Sequence, residues 1–181
     1  DPDYPTTHHW YSNSLEMQAK FEEALSEIKR AQELDPLSLV IITNVGEVLY
    51  YMQRYDLAIE QLNRVLELDP NFAVARLTLG MVYAKKGRFD EAIIEVQKAM
   101  YILGTNSPYG IGISGYIYAK AGKKDEAIKI LNQLLGLSKQ GYALSVDIAG
   151  VYAGLGDKDK AFEWLEKGYN EQNSTLGYLK I

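Results

Sequence analysis

The chain of 181 residues contains no cysteine. That absence removes disulfides, thiol catalysis and cysteine metal sites together. No apolar run reaches the roughly 18 residues that a membrane-spanning helix needs. The polar N-terminus lacks the basic segment followed by an apolar one that marks a signal peptide, so a cytoplasmic location is expected. Basic charge is also in short supply. Nineteen lysines and arginines stand against 24 acids, a net charge of −5. A nucleic-acid binder normally carries a basic stripe, and this balance argues against phosphate-backbone binding as the main activity.

Histidine is limited to His8 and His9. Neighbours in a helix point about 100° apart and chelate one metal poorly, so neither a metal nor another cofactor is expected. The stretch Gly110-Ile-Gly112-Ile-Ser-Gly115 resembles a phosphate cradle only superficially, because no strand precedes it and no Gly-Lys-Ser/Thr follows. Carboxylate pairs such as Glu22-Glu23 and Asp125-Glu126 open helices, where they favour the positive helix end and stay solvated. No serine, histidine and acid are spaced as a triad. An enzyme is not expected.

What is present is a period. Ala24, Ala58, Ala92, Ala127 and Ala161 are separated by 34, 34, 35 and 34 residues, and the pairs Asp1-Pro2, Asp35-Pro36 and Asp69-Pro70 keep the same 34-residue interval. Such a period denotes stacked helical hairpins. In residues 39–72, the first half carries apolar residues at helical spacing, and the second sets Tyr55, Ala58, Ile59, Leu62, Val65 and Leu66 on one face. Pro70 stops the second helix, and Asn71 is expected to help start the next hairpin.

Opposite the alanines, Ser12, Gly46, Gly80, Gly115 and Ala149 let paired helices approach closely. Leu15, Leu49, Tyr83, Tyr118 and Tyr152 are expected to fill the core one turn on. Ile28, Leu62, Val96, Leu131 and Leu165 share one place in the second helices. The turn between helices holds Ala19, Gln53, Gly87, Gly122 and Gly156 at equivalent positions, and glycine there fits a left-handed cap. One extra residue lies near 104–110, where a longer and more mobile joint is expected. The glycine-rich C-terminal half predicts a softer end, since each helix-interior glycine costs about 0.5–1 kcal/mol. Close helix packing is the preferred explanation of those glycines over a hinge.

These positions resemble the tetratricopeptide repeat over nearly the whole chain. The resemblance implies an all-α, right-handed α-solenoid of about five hairpins, with units at residues 5–38, 39–72, 73–106, 108–141 and 142–175, and 176–181 opening a truncated tail. Residues 147–181 and 8–36 are similar to the repeat regions of multidomain prokaryotic regulators. In those the array accompanies a winged-helix, cyclase or kinase domain. The chain stops inside the apolar segment LGYLKI, which predicts a fragment of a longer protein.

In such arrays the first helices line a concave groove. Helical register places Trp10, Asn13, Asn44, Glu47, Tyr50, Tyr51, Leu77, Met81, Tyr109, Ile113 and Tyr116 there as candidate partner-binding residues, with His9, Met17, Val40, Thr43, Val74, Thr78, Lys85, Lys120, Val146, Asp147 and Gly150 also facing inward. Tyrosine suits an interface because it joins a flat apolar body to one polar tip. The expected function is a protein–protein interaction scaffold or regulatory module that takes an extended segment or amphipathic helix in the groove. A carboxylate clamp is not expected: Asn13 and Asn44 suit one, but His9, Val74 and Thr78 do not supply its cations. Two alternatives are self-association through residues 176–181 or the open end, and small-ligand sensing in a pocket near Tyr109 to Tyr116.

Overall fold

The structure is a computed structural model that describes residues 3–104 and 107–171. Ten helices run in sequence among these residues. They are α1 (Pro5–Glu16), α2 (Phe21–Leu34), α3 (Leu39–Tyr51), α4 (Tyr55–Leu68), α5 (Ala73–Lys85), α6 (Phe89–Leu103), α7 (Pro108–Lys120), α8 (Lys124–Lys139), α9 (Ser145–Leu155) and α10 (Lys158–Asn170). Each odd helix packs closely on the even helix that follows it, and each even helix then packs on the next odd one; α7 lies against α9 as closely as against α8. The result is an all-helical solenoid.

The periodic alanines explain the close pairing. All five are buried, and a methyl group is the most that each helix crossing admits. The facing residues are as tight. A Cβ on Gly46 would lie 2.9 Å from Leu62, and one on Gly80 would lie 2.9 Å from Val96 and 3.3 Å from the Ala92 carbonyl. In the first hairpin Ser12 takes the small-residue place, and its hydroxyl donates to the Ala24 carbonyl at 2.9 Å. The core is continuous in kind along the stack: Ile28, Val45, Leu62 and Val82, then Leu77, Val96 and Ile117, then Ile111, Leu134 and Ile148.

The three tyrosines expected to fill that core lie at its boundary instead. Tyr118 is half-buried, and its hydroxyl accepts from Gln97 Nε2 at 3.0 Å. Tyr83 and Tyr152 sit at the core edge with the Arg88 guanidinium and the Lys160 ammonium over their rings, at 4.4 and 5.2 Å. The polar tip of tyrosine keeps this position at the boundary.

The inter-helix turns are more uniform than their residues. Gly87, Gly122 and Gly156 have φ of +73°, +75° and +87°, and Ala19 and Gln53 share the left-handed geometry at +59°. The hairpin requires that conformation whichever residue occupies it. Between hairpins, Asp35 and Asp69 are extended, at φ −138° and −142°, as a residue before proline must be. Asn71 does not cap α5; its backbone N–H is instead held by Asp69 Oδ1 at 2.8 Å.

Where the third unit lacks Asp-Pro, α6 runs to 15 residues against 14 for α2 and α4. It ends at Gly104 with φ +84°, so the helix itself absorbs the extra residue. The glycines of α7 serve close packing. A Cβ on Gly112 would fall 2.1 Å from the Asp147 carboxylate, and one on Gly115 would meet Val151 and Ile130 at 2.7 and 2.8 Å. This contact brings α9 onto α7 and buries Asp147, whose carboxyl is pushed up to about 6 by loss of solvent.

Candidate interaction face

The first helices form a row: α3 against α5, α5 against α7, α7 against α9. Side-chain bonds carry the row on to α1. Asn44 Nδ2 donates to Asn13 Oδ1 at 3.0 Å and lies 2.8 Å from His9 Nε2. Burial holds His9 below its ordinary pKa. The ring is therefore neutral near pH 7, and Nε2 accepts from the amide. His8 turns the other way and meets Glu27 of α2 at 2.6 Å, so the two histidines serve different helices.

Residues 31 apart face one another in adjacent first helices. Asn13 and Asn44 are one such pair; Glu47 and Thr78 are the next, with Thr78 Oγ1 donating to Glu47 Oε1 at 3.1 Å. Thr78 and Thr43 are themselves buried, and each hydroxyl also reaches a carbonyl one turn back, on Val74 and Leu39. Burial raises the Glu47 carboxyl, and the Thr78 hydroxyl acts against that rise.

An aromatic group follows on the same helix. Tyr50 lies edge-on to Tyr51 with centroids 5.2 Å apart, and Tyr51 stacks on Phe21 at 5.9 Å. Burial raises the Tyr50 hydroxyl well above its usual value, with Tyr116 and Tyr55 adding to the rise. Tyr116 belongs to α7, two first helices away. The tyrosines of α3 and α7 thus converge across α5.

The face brings most of the expected residues together. Asn13, Asn44, Glu47, Tyr50, Tyr51, Met81, Ile113 and Tyr116 are all half-buried along it. Trp10 is 68% exposed at one end, beside the His9 ring. Leu77 is a correction: it is fully buried and packs with Val96 and Ile117 in the core. Its side chain fills the core between α6 and α7 instead of the groove. Tyr109 starts α7, but its side chain lies outside the described residues, as does the 176–181 tail.

Glu16 is a residue that register counting missed. It ends α1 and is only 4% exposed. Its Oε1 is buried with no hydrogen-bond partner. Burial, and then the Glu47 carboxylate, push its carboxyl up to about 8. The signal was available in the repeat. The equivalent places hold Tyr50, Ala84, Ala119 and Ala153, so an acid at 16 breaks an otherwise uncharged series.

A recess of about 810 Å³ opens on another side of the array, lined by Met100, Tyr101, Ile111, Ser114, Tyr118 and Ile130 among others. It touches the glycine-rich joint through Ile111 and Ser114 but not through Ile113 or Tyr116.

The profile of the tetratricopeptide repeat matches residues 46–110 and 114–174, more than half of the chain. The chain belongs to the tetratricopeptide repeat family. Members of this family bind protein or peptide partners and are generally non-catalytic scaffolds. Solved structures agree on the fold. A thermophilic repeat protein of Thermus thermophilus is 16% identical with a TM-score of 0.77, over 97% of this chain and 96% of that one. MamA is 22% identical with a TM-score of 0.58, over 92% and 97%. YrrB, described as a repeat protein with an unusual peptide-binding site, is 23% identical with a TM-score of 0.54, over 99% and 92%. No curated protein matches the chain significantly. Among the described residues, no helix is long and apolar enough to cross a membrane.

Proposed function

We propose that the row of first helices holds an extended segment of a protein partner, and that this repeat array serves as the interaction or regulatory module of a larger protein. The observation that carries the reading is the polar ladder of Asn13, Asn44, Glu47 and Thr78. A solenoid that needed only to stack would place apolar side chains there. Amides flanked by Trp10, Tyr51 and Met81 instead offer both partners that an extended backbone needs: donors and acceptors for its peptide groups, and apolar beds for its side chains.

Affinity capture from the source cell's lysate tests this. The domain is run beside a Trp10→Ala/Tyr51→Ala/Met81→Ala variant and an outer-face variant, Ile94→Ala/Phe162→Ala, each checked for helicity. A protein kept by the outer-face variant and lost by the first supports the groove. Equal catches on all three remove it.

A second reading rests on the recess between α6, α7 and α8. Its volume and its mixture of Met100, Ile111 and Ile130 with Ser114 and Gln133 suit a small apolar ligand. A melting shift with metabolites that Ser114→Leu abolishes is its signature.

A further inference from the structure

The i to i+31 ladder places one more pair on the face. Asn13 bonds to Asn44, and one helical turn on from each stand Glu16 and Glu47. Register therefore sets two carboxyl groups side by side on α1 and α3, near enough for the Glu47 charge to act on Glu16, inside a family fold whose partners are peptides. Glu47 Oε1 is supplied by Thr78. Glu16 Oε1 is buried and supplied by nothing among the described residues. A buried acceptor without a donor is a cost that the fold has not removed, although the position accepts tyrosine or alanine in every other unit. What completes such a pair is a cation with several N–H donors.

We propose that Glu16 and Glu47 form the subsite for one lysine or arginine side chain of the partner segment. This deepens the groove reading and rests on it. Glu47 keeps part of its surface open, so an incoming cation meets Glu47 first, with Glu16 Oε1 covered behind it. Tyr50 and Tyr51 follow Glu47 by three and four residues and share its face. They form an aromatic bed for the alkyl stem of the incoming residue. The His9 ring of α1 is held neutral by burial, so it does not supply the cation. A metal ion suits the place less well. No group of three His, Cys, Asp or Glu side chains is gathered among the described residues, whereas a hard divalent ion takes about six or more oxygens.

A random peptide library displayed on phage, panned against the wild-type chain, tests the subsite. Selected peptides are expected to carry lysine or arginine at one fixed position. Changing that residue to methionine in the synthetic peptide weakens binding at least tenfold, which needs no protein variant to fold. A Glu16→Gln/Glu47→Gln variant, isosteric with the pair, binds the lysine and methionine peptides equally. Peptides that need Tyr51 and Met81 but tolerate methionine overturn the cation subsite and leave the groove standing. If no selected peptide depends on the groove residues, both readings fall.

Discussion

Replacing Glu16 by glutamine flattens the pH dependence of stability above neutrality. The Glu16 carboxyl stands at about 8 in the folded chain, raised first by burial and then by Glu47, against an ordinary value of 4.5. Between those values the folded chain holds a proton that the unfolded chain has released. The stabilisation is complete below the unfolded value and is lost as pH rises through 8. At 1.36 kcal/mol per unit, the full loss is roughly 3–5 kcal/mol. The two carboxyls share the process, so the loss belongs to the pair.

The window isolates the cause. Asp147, raised to about 6, loses its own contribution below that range. His9, lowered by burial, acts only below its ordinary 6.5. Urea unfolding followed by far-UV circular dichroism, at pH 6.5 and pH 9, reads the difference. Wild type is expected to lose about 2 kcal/mol between the two, the share of the fall that lies between pH 6.5 and 8. Glu16→Gln, which mimics the protonated acid at every pH, loses nothing to this group over the same range, so its stability relative to wild type rises by about 2 kcal/mol from pH 6.5 to pH 9. Equal losses in the two proteins refute the buried pair as the source.

Three further outcomes follow from packing and backbone geometry, all measurable by the same unfolding assay. Gly112→Ala drives a methyl group into Asp147 and is expected to cost about 1–3 kcal/mol, whereas Gly136→Ala, with nothing within 4 Å, gains about 0.5–1 kcal/mol; similar effects at both sites would sink the packing account of the glycines. Arg76→Ala strands Glu95, its partner at 2.5 Å with both side chains 12% exposed, and is expected to cost about 3 kcal/mol; a loss below about 1 kcal/mol would show that Lys98, 2.8 Å from Glu95, suffices alone. Gln53→Gly relieves a left-handed residue at φ +59° and is expected to stabilise by up to about 1 kcal/mol; a destabilisation would mean that the Gln53 side chain contributes more than its backbone strain costs.

The repeat made the fold legible because it encodes contacts that every unit makes. Ala58 meets the same crossing as Ala92, and Gly46 meets Leu62 as Gly80 meets Val96. Periodicity therefore reports the shared core. It also reported the turns, although Ala19 and Gln53 show that the conformation outlasts the glycine that signals it. What it could not report is where a side chain goes when its neighbours differ from unit to unit. Leu77 faces the groove by register yet is buried, packed with Val96 and Ile117 of the following helices. Tyr50 and Tyr116 lie 66 residues apart, yet Tyr116 is near enough to help raise the Tyr50 hydroxyl. No pairwise spacing in the sequence carries that.

The site was legible in the opposite sense, through departures from the period. A solenoid position that serves only stacking is under the same physical demand in every unit and tends toward the same residue class. Position 16 is acidic where its equivalents are Tyr50, Ala84, Ala119 and Ala153, and position 47 is acidic where they are Asn13, Met81, Tyr116 and Gly150. Each departure is unfavourable to stacking, since it buries a carboxyl group that tyrosine, alanine or methionine would not. Two such departures that face one another across α1 and α3, one with an oxygen left without a donor, are difficult to explain by packing. They are explained by a cation that arrives with the partner, and the cost then appears only in the empty groove.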